Sequence, residues 1–395
     1  MVNFIKQIIN KIARRKFIRN FNKFCVVQKG RALIYYKTES FVLGDLLNDF
    51  SHVNNQESYE IAKILNKLGF VVDVIDRTAD LNDIKKYITE DKYDIFIGLG
   101  AGDSGRYFPD IAERLPKAIK ILYAMGPEPD LSDKITKDRH NYFRQRHPNI
   151  PVIDRRVINN VDTKRLYKNT DCIITIGNDF SYGSYLNLGK DVYKVYLGTY
   201  EALEFDKKYI DQKSPKKFLY FGGNGNITKG LDLVLEVFAG QPDLELYVGA
   251  PETEKDFNVF ANEIFKTCSN IHNLGFVDVS SKLFHDITSM CGYVILPSSS
   301  EGCATSITTC MRRGLVPVVT VEAGVEIKDF GILVKEGTVE AVQDAIIKAS
   351  DISREEFEKR VLETYEDSEK YTNTNFKNTF EKAIKSILIK RGFLV

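Results

Sequence analysis

Residues 218–238, FLYFGGNGNITKGLDLVLEVF, are typical of a strand, a glycine-rich turn and an amphipathic helix in direct succession. We expect Thr228 to cap the helix. The buried stripe of this helix is expected to be Leu231, Val234, Leu235 and Phe238. Such a turn directs backbone N–H groups toward an anion, and Lys229 adds a positive charge suited to a diphosphate. The stretch therefore predicts a phosphate-binding unit, the alternative being a tight turn that needs glycine only for its backbone angles.

A second stretch, residues 297–314 (PSSSEGCATSITTCMRRG), follows a predicted strand in the same way. Its serines supply hydroxyl groups at the strand end, and Gly302 lets a ligand approach the amides of the helix that follows. Glu301 has two interpretations. Its carboxylate is favourably placed in the dipole of the following helix, or it accepts hydrogen bonds from sugar hydroxyls in a cleft.

Short β-branched runs alternate with helical periods from about residue 31 to 198, and again from residue 217 onward. This pattern predicts an α/β fold with two Rossmann-like, doubly wound lobes and ligands between them at the carboxyl ends of the strands. The predicted order is a basic amphipathic arm (1–25), a first lobe (26–205), a polar linker (206–217), a second lobe (218–350) and C-terminal helices that pack back across the lobes (351–395).

The composition excludes several classes of protein. Lys and Arg number 55 against 54 Asp and Glu, so a chain-wide basic field for nucleic acid is absent. Six cysteines without a C-x-x-C pair argue against a disulfide framework or a structural zinc site. No apolar run approaches the roughly 20 residues that span a bilayer. We therefore expect a cytoplasmic protein.

The N-terminus departs from this balance, because no Asp or Glu precedes Glu39. Apolar residues in MVNFIKQIINKIA fall on one stripe of a helix. They are Phe4, Ile5, Ile8, Ile9 and Ile12. We predict that residues 1–24 attach to an anionic membrane surface, which would make the protein peripheral at the inner face of the membrane. The alternative is a helix docked on its own domain.

Three features of the first lobe are candidates for the cleft. GLGAGDSG, residues 98–105, contains G-x-G-x-x-G but follows the third strand of the lobe, so we interpret it as a cleft-lining loop rather than a dinucleotide site. His52 is a candidate for proton transfer, the alternative being an incidental position beside a helix cap. Glu128 lies between two prolines at a strand exit and is a candidate cleft-edge carboxylate.

The two C-terminal stretches resemble glycosyltransferase family four, of GT-B fold, in which a glycine-rich turn with Lys-Gly precedes a helix and P-S-x-x-E-G opens the donor site. The resemblance is strongest from Phe218 to Val334 and includes NLGFVDVSSKLF, residues 273–284. It implies a nucleotide-sugar donor in the second lobe, a glycan or lipid-linked acceptor in the first, retention of configuration, and no metal or other cofactor. Lys229 would bind the diphosphate and Glu301 the transferred sugar.

The candidate donor-binding residues are Gly222, Gly223, Asn224, Gly225, Lys229, Phe276, Val277, Ser299, Ser300, Glu301, Gly302, Thr305 and Thr309. The resemblance assigns the backbone of Phe276 and Val277 to the nucleotide base, and Ser300 and Gly302 to the phosphate and the edge of the sugar. Lys229, Glu301, His52 and Glu128 are the candidates for a catalytic role.

Two departures from the family pattern affect the expected grip on a nucleotide. Asn224 replaces an arginine of the diphosphate site, and Thr309 replaces the second acid of a Glu-x7-Glu motif. Each replacement removes a charged side chain that would contact the nucleotide. The main interpretation is a hexosyltransferase of surface polysaccharide biosynthesis. The alternatives are a non-catalytic GT-B protein that binds a glycan or a partner enzyme, and a sugar-nucleotide epimerase.

Overall fold

The computed structural model describes residues 15–43, 54–89, 91–158, 161–199 and 205–393. The predicted helix of residues 1–14 and the candidate His52 lie outside these ranges. The described chain forms two α/β lobes joined near residue 205, as predicted from the alternation of strand and helix patterns.

The first lobe contains a sheet of seven strands among the described residues, in the order β1-β3-β2-β4-β5-β6-β7. The strands are β1 (Phe17–Phe21), β2 (Gly30–Tyr36), β3 (Phe70–Asp76), β4 (Ile95–Gly98), β5 (Ile119–Ala124), β6 (Cys172–Ile176) and β7 (Asp191–Val195). The β1 strand pairs antiparallel to β3, and the other pairs are parallel. Every residue of β3, β4 and β6 is buried, as expected for parallel strands covered on both faces.

Helices cover this sheet on both faces. They are α1 (Glu39–Leu43), α2 (Asn54–Lys67), α3 (Leu81–Tyr87), α4 (Gly102–Gly105), α5 (Phe108–Ala112), α6 (Pro129–Arg146), α7 (Thr163–Lys168) and α8 (Asp179–Gly183), with a 3-10 turn at Leu186–Leu188. The buried faces of the sheet pack into two apolar clusters, one of which continues into the second lobe.

The second lobe contains a sheet of six parallel strands among the described residues, in the order β10-β9-β8-β11-β12-β13. The strands are β8 (Ser214–Phe221), β9 (Glu245–Gly249), β10 (Ile271–Gly275), β11 (Cys291–Leu296), β12 (Val316–Val319) and β13 (Ile332–Leu333). The helices are α9 (Leu231–Ala239), α10 (Lys255–Thr267), α11 (Lys282–Met290), α12 (Thr305–Met311) and α13 (Val339–Ser350). Short 3-10 turns lie at Lys207–Tyr209 and Val321–Ala323.

The C-terminal helices contact both lobes, which gives the helical tail that was expected. They are α14 (Arg354–Asp367) and α15 (Asn373–Lys390), joined by a 3-10 turn at Ser368–Tyr371. Phe357 of α14 packs on Tyr293 of the second sheet, with ring centroids 5.7 Å apart. Phe380 of α15 packs on Tyr123 of the first sheet at 6.0 Å. The tail therefore ties the two sheets together.

Three local predictions differ from the structure. Residues 17–21 of the predicted basic arm form β1, because Phe21 is buried against the first lobe. The β8 strand begins at Ser214, inside the predicted linker. The helix of the glycine-rich unit begins at Leu231 after Gly230, whose φ of 75° ends the turn, so Thr228 is not its N-cap. The Thr228 hydroxyl instead donates to the carbonyl oxygen of Arg155 at 3.4 Å.

One part of the first lobe crosses the cleft. We call residues 129–156, which comprise α6 and the loop after it, the bridging segment. Arg139 in this segment pairs with Asp232 of α9 at 2.8 Å, and both side chains are almost fully buried. Arg146 and His147 both bind Glu236 of the same helix. The end of α6 is therefore held by charges of the second lobe.

None of the helices in the described ranges combines the length and apolar character needed to cross a membrane.

Candidate functional site

A cavity of about 670 Å³ lies between the lobes, at the carboxyl ends of the strands in both sheets. This volume is in the range of small-molecule binding sites. The second lobe contributes Gly223, Lys229, Ser300, Glu301, Gly302 and Thr305 to the lining. The first lobe contributes, among others, the loop 99–102, Tyr36, Tyr123, Met125, Ser132 and Arg156. The loop of the G-x-G-x-x-G sequence therefore lines the cleft, as we interpreted it.

Glu301 is the centre of the charged part of this cavity. The Arg156 guanidinium donates to both of its carboxylate oxygens, at 2.6 and 3.1 Å. The Lys229 ammonium donates to Oε1 of the same carboxylate. The Glu301 and Lys229 side chains are only 11 % and 10 % exposed. The two predicted βα units thus meet at one ion cluster, which an arginine of the other lobe completes.

The charges in this cluster shift one another's pKa values. Burial penalises the charged Glu301 carboxylate, but Arg156 and Lys229 outweigh that penalty and lower its pKa to about 2. Burial lowers the pKa of Lys229 to about 8, although Glu301 opposes the shift. Glu301 is therefore fully ionised at neutral pH, and Lys229 is mostly protonated.

Backbone contacts fix Glu301 at this position. The N–H of Glu301 donates to the Glu322 carbonyl oxygen at 2.9 Å. The N–H and hydroxyl of Ser299 both donate to the carbonyl oxygen of Thr228, at 2.8 and 3.1 Å. The strand exit after β11 is thereby tied to the glycine-rich turn after β8. The carboxylate of one unit and the lysine of the other are held together as a result.

Gly302 serves the contact between the lobes. A β-carbon on Gly302 would lie closer than 3.0 Å to the carbonyl oxygen of Met125, which belongs to the first lobe. Ser300 makes a second contact of this kind, since its hydroxyl lies 2.7 Å from that of Ser132. Gly302 thus lets the backbones of the two lobes approach each other, and it also lines the cavity in which a ligand is expected.

The amides of the glycine-rich turn already have an anionic partner. Glu254, at the start of α10 and 4 % exposed, accepts hydrogen bonds from the N–H groups of Gly225 and Asn226. Gly222 and Gly223 continue the turn, and Asn224 is exposed, its side-chain Oδ1 accepting a hydrogen bond from the Thr253 hydroxyl at 2.7 Å. The turn therefore binds a carboxylate, which shows that its N–H groups suit an anion.

Several predicted site residues lie outside the cavity lining of the described chain. Thr309 is 1 % exposed, donates to the carbonyl oxygen of Thr305 at 2.6 Å and lies 3.0 Å from the Thr199 hydroxyl. Phe276 is 60 % exposed and Val277 is buried, both just after β10. They follow β10 at the carboxyl end of the sheet, and their assignment to the nucleotide base stays a prediction.

Glu128 has a structural role in this arrangement. It precedes α6 and caps that helix by accepting a hydrogen bond from the N–H of Leu131 at 3.0 Å. Its second oxygen accepts from the Tyr167 hydroxyl at 2.6 Å. Both oxygens are thus engaged within the first lobe, outside the cavity lining.

The sequence did not indicate Arg156 or Glu254 as site residues. Glu254 follows the exit of β9 by five residues, and a carboxylate at the carboxyl end of a parallel strand was a usable signal. Arg156 lies in an irregular loop after α6 and belongs to no motif. Only the fold brings it to the second lobe.

The sequence of the second lobe matches a known family. Residues 204–367 match the family model described as Glycosyl transferases group 1. No curated protein matches the chain in sequence.

Solved structures share the fold across both lobes. HepE of Anabaena, in complex with UDP-glucose, is 12 % identical with a TM-score of 0.58, and the match covers 90 % of this chain and 99 % of that chain. Sucrose-phosphate synthase of Thermosynechococcus elongatus is 13 % identical with a TM-score of 0.58, covering 91 % of this chain and 100 % of that one. For WaaG, a glycosyltransferase involved in lipopolysaccharide biosynthesis, the values are 12 % identity, a TM-score of 0.54, and coverage of 89 % and 98 %. The chain therefore has the GT-B fold, and residues 204–367 are similar to glycosyl transferases group 1.

Proposed function

We propose that this protein is a retaining glycosyltransferase that moves a hexose from a nucleotide-sugar donor to a glycan or lipid-linked acceptor in surface polysaccharide assembly. The observation that carries the proposal is the convergence of Lys229 and Arg156 on Glu301 inside the cleft, within a segment that matches a glycosyltransferase family model. Two cations around one acid suit a ligand that brings its own negative charge.

The reaction proposed here breaks the bond between the sugar's anomeric carbon and a diphosphate oxygen. Lys229 stabilises the negative charge that develops on the departing diphosphate. Glu301, released from Lys229 by the diphosphate, accepts hydrogen bonds from the sugar hydroxyls and orients the ring. The acceptor hydroxyl bonds to the anomeric carbon on the same face, and its proton leaves with the diphosphate. Positioning and electrostatics supply most of the acceleration.

Nucleotide binding tests the donor site directly. We expect isothermal titration with UDP, GDP, ADP and dTDP to show saturable binding of one of them, which Lys229→Ala abolishes. Lys282→Ala is the matched control, since Lys282 is an exposed lysine whose ammonium pairs with Asp286 in its own helix. Glu301→Gln should retain nucleotide binding and lose turnover with the corresponding sugar nucleotide. Unchanged turnover in both Lys229→Ala and Glu301→Gln would refute these roles.

A non-catalytic GT-B protein is the second candidate. It is favoured by the internal pairing of the site, in which Glu254 occupies the turn amides and Glu301 occupies both cations. The burial of Thr309 and the exposure of Asn224 also favour a non-catalytic protein. The two functions differ in one measurement, because a folded protein of this second kind binds none of the four nucleotides.

The proposed site of action is the cytoplasmic face of a membrane, reached through residues 1–24. The residues that follow this segment support the proposal, because Val26 and Val27 are 95 % and 64 % exposed between the exposed Lys23 and Lys29. Apolar tips flanked by lysines suit an interface with anionic lipid.

Vesicle sedimentation tests this attachment. We expect the full chain to bind vesicles of phosphatidylcholine with one quarter phosphatidylglycerol, and pure phosphatidylcholine vesicles much less. A chain lacking residues 1–14 keeps β1, which begins at Phe17, and should lose most of the binding. Equal binding of the shortened chain would contradict the proposal.

A further inference from the structure

We propose that Arg156, a residue of the first lobe, binds the diphosphate of the donor together with Lys229, so that the anion bridges the two lobes. The inference rests on the proposed function and adds a specific residue to it. Among the described residues that line the cavity, the guanidinium of Arg156 and the ammonium of Lys229 both contact the carboxylate of Glu301. Two cations around one acid leave a positive charge that favours an anionic ligand.

The position of Arg156 is enforced by its neighbours. Arg155 donates two hydrogen bonds to Asp256 of α10, at 2.8 and 2.7 Å, and the N–H of Ile153 donates to the same carboxylate at 2.8 Å. These bonds hold the end of the bridging segment on the second lobe. Arg156 then takes a φ of 61°, which non-glycine residues rarely adopt. Such a conformation persists where surrounding contacts determine it, and it is common at ligand sites.

The glycine-rich turn makes room for this side chain. A β-carbon on Gly225, whose own φ is 95°, would lie 2.5 Å from Cδ of Arg156. The arginine therefore passes over the turn to reach the cavity, where its side chain remains 36 % exposed. Asn224, next to Gly225, is uncharged and bonded to Thr253, so the turn itself supplies no second cation.

The oxygens of the Glu301 carboxylate lie where we expect the negatively charged oxygens of the ligand to bind. Its two oxygens lie on the guanidinium as a bidentate pair, the arrangement that arginine also forms with phosphate oxygens. A diphosphate carries enough oxygens and charge to take over the guanidinium and the Lys229 ammonium together. Binding then exchanges one internal anion for another, and the freed Glu301 carboxylate faces the sugar.

The charge dependence of binding tests this inference. The probes are the nucleoside diphosphate that the wild-type protein binds and inorganic pyrophosphate. We expect Arg156→Gln to weaken nucleoside diphosphate binding about 10- to 100-fold in titration calorimetry, and Arg156→Lys to recover part of that loss. Pyrophosphate should raise the melting temperature of the wild-type protein and leave that of Arg156→Gln unchanged.

Arg144→Gln is the matched control, because Arg144 lies on the same segment and pairs with Asp154 at the surface. If Arg156→Gln binds the nucleoside diphosphate as tightly as Arg144→Gln does, Arg156 is not a ligand of the diphosphate and the inference is overturned, while the proposed function stands. If the wild-type protein binds no nucleotide, both the proposed function and this inference fail. The inference is supported if Arg156→Gln binds the nucleoside diphosphate more weakly while its melting temperature without ligand equals that of Arg144→Gln. Equal melting temperatures exclude misfolding as the cause of the weaker binding.

Discussion

Gly177 and Gly302 lie on opposite sides of the cleft, so close that a β-carbon on Gly177 would come within 3.0 Å of the Gly302 carbonyl oxygen. The φ of Gly177 is 109°, a conformation that alanine adopts only with strain. The backbones of the two lobes therefore touch beside the ion cluster, at a contact that a β-carbon on either glycine would disturb.

Gly177→Ala is expected to force the lobes apart at this contact and to weaken nucleotide binding at least tenfold. The strained backbone should also lower the free energy of unfolding by about 1–3 kcal/mol. Calorimetric titration and urea denaturation measure the two effects. Gly183→Ala is the control, because a β-carbon there meets no atom within 4 Å. Equal affinities in the two variants would show that the backbone contact does not shape the cavity.

Glu254→Ala should destabilise the fold, because it leaves the buried N–H groups of Gly225 and Asn226 without their acceptor. Each buried donor without a partner costs about 1–3 kcal/mol, so a loss of about 2 kcal/mol or more is expected in urea denaturation. Glu252→Ala, two residues away and exposed, serves as the control and should change the stability by less than about 0.5 kcal/mol. A loss no larger than that of the control would mean that other groups satisfy the turn.

Lys213 makes stability depend on pH in the alkaline range. Its ammonium is buried and donates to the carbonyl oxygens of Thr288 and Cys291, and burial lowers its pKa from 10.5 to about 7. Between these values the unfolded chain binds the additional proton, so this residue makes stability rise with pH across that window, by at most about 1.4 kcal/mol per pH unit.

Urea denaturation at pH 7, 8 and 9 measures this dependence. Lys213→Met should lack this part of the rise, and Lys216→Met, at an exposed lysine nearby, should keep it. Curves for wild type and Lys213→Met that stay parallel over the whole range would contradict the lowered pKa.

Thr309→Glu tests whether an acid at this position can still assist the donor site. Thr309 is buried and hydrogen-bonded to Thr305 and Thr199, so a carboxylate there has no route to the cavity and loses its hydration. We expect a loss of about 3 kcal/mol or more in the free energy of unfolding, without any gain in nucleotide affinity. Thr305→Glu, at a residue that lines the cavity, should fold with little loss. A stable Thr309→Glu variant with tighter nucleotide binding would reverse this conclusion.

The local parts of the site could be predicted because they depend on short-range patterns. The strand, turn and helix around Lys229 follow from hydrophobic periodicity and glycine spacing, and the strand exit at Glu301 follows in the same way. That both residues face one cleft follows from the rule for parallel sheets. Their direct pairing does not, because it depends on side-chain directions that no pattern records.

The remaining parts depend on contacts between distant segments. Arg156 meets Glu301 across 145 positions of sequence, through a loop without periodicity. The family resemblance predicts Thr309 in the donor site, whereas the short helix α12 turns it toward Thr199 of the first lobe. The sequence predicts Thr228 as the cap of α9, whereas Gly230 closes the turn before this helix.

The course of the bridging segment has a consequence for protein engineering. In chain order the two lobes separate near residue 205, so a chimera of two proteins with this fold would naturally be joined there. That junction would leave Arg139, Arg146 and Arg155 with the first parent, and Asp232, Glu236 and Asp256 with the second. Unmatched charges at a buried interface are costly. We therefore expect a hybrid that inherits residues 129–156 from the parent of its second lobe to be more stable than one joined near residue 205.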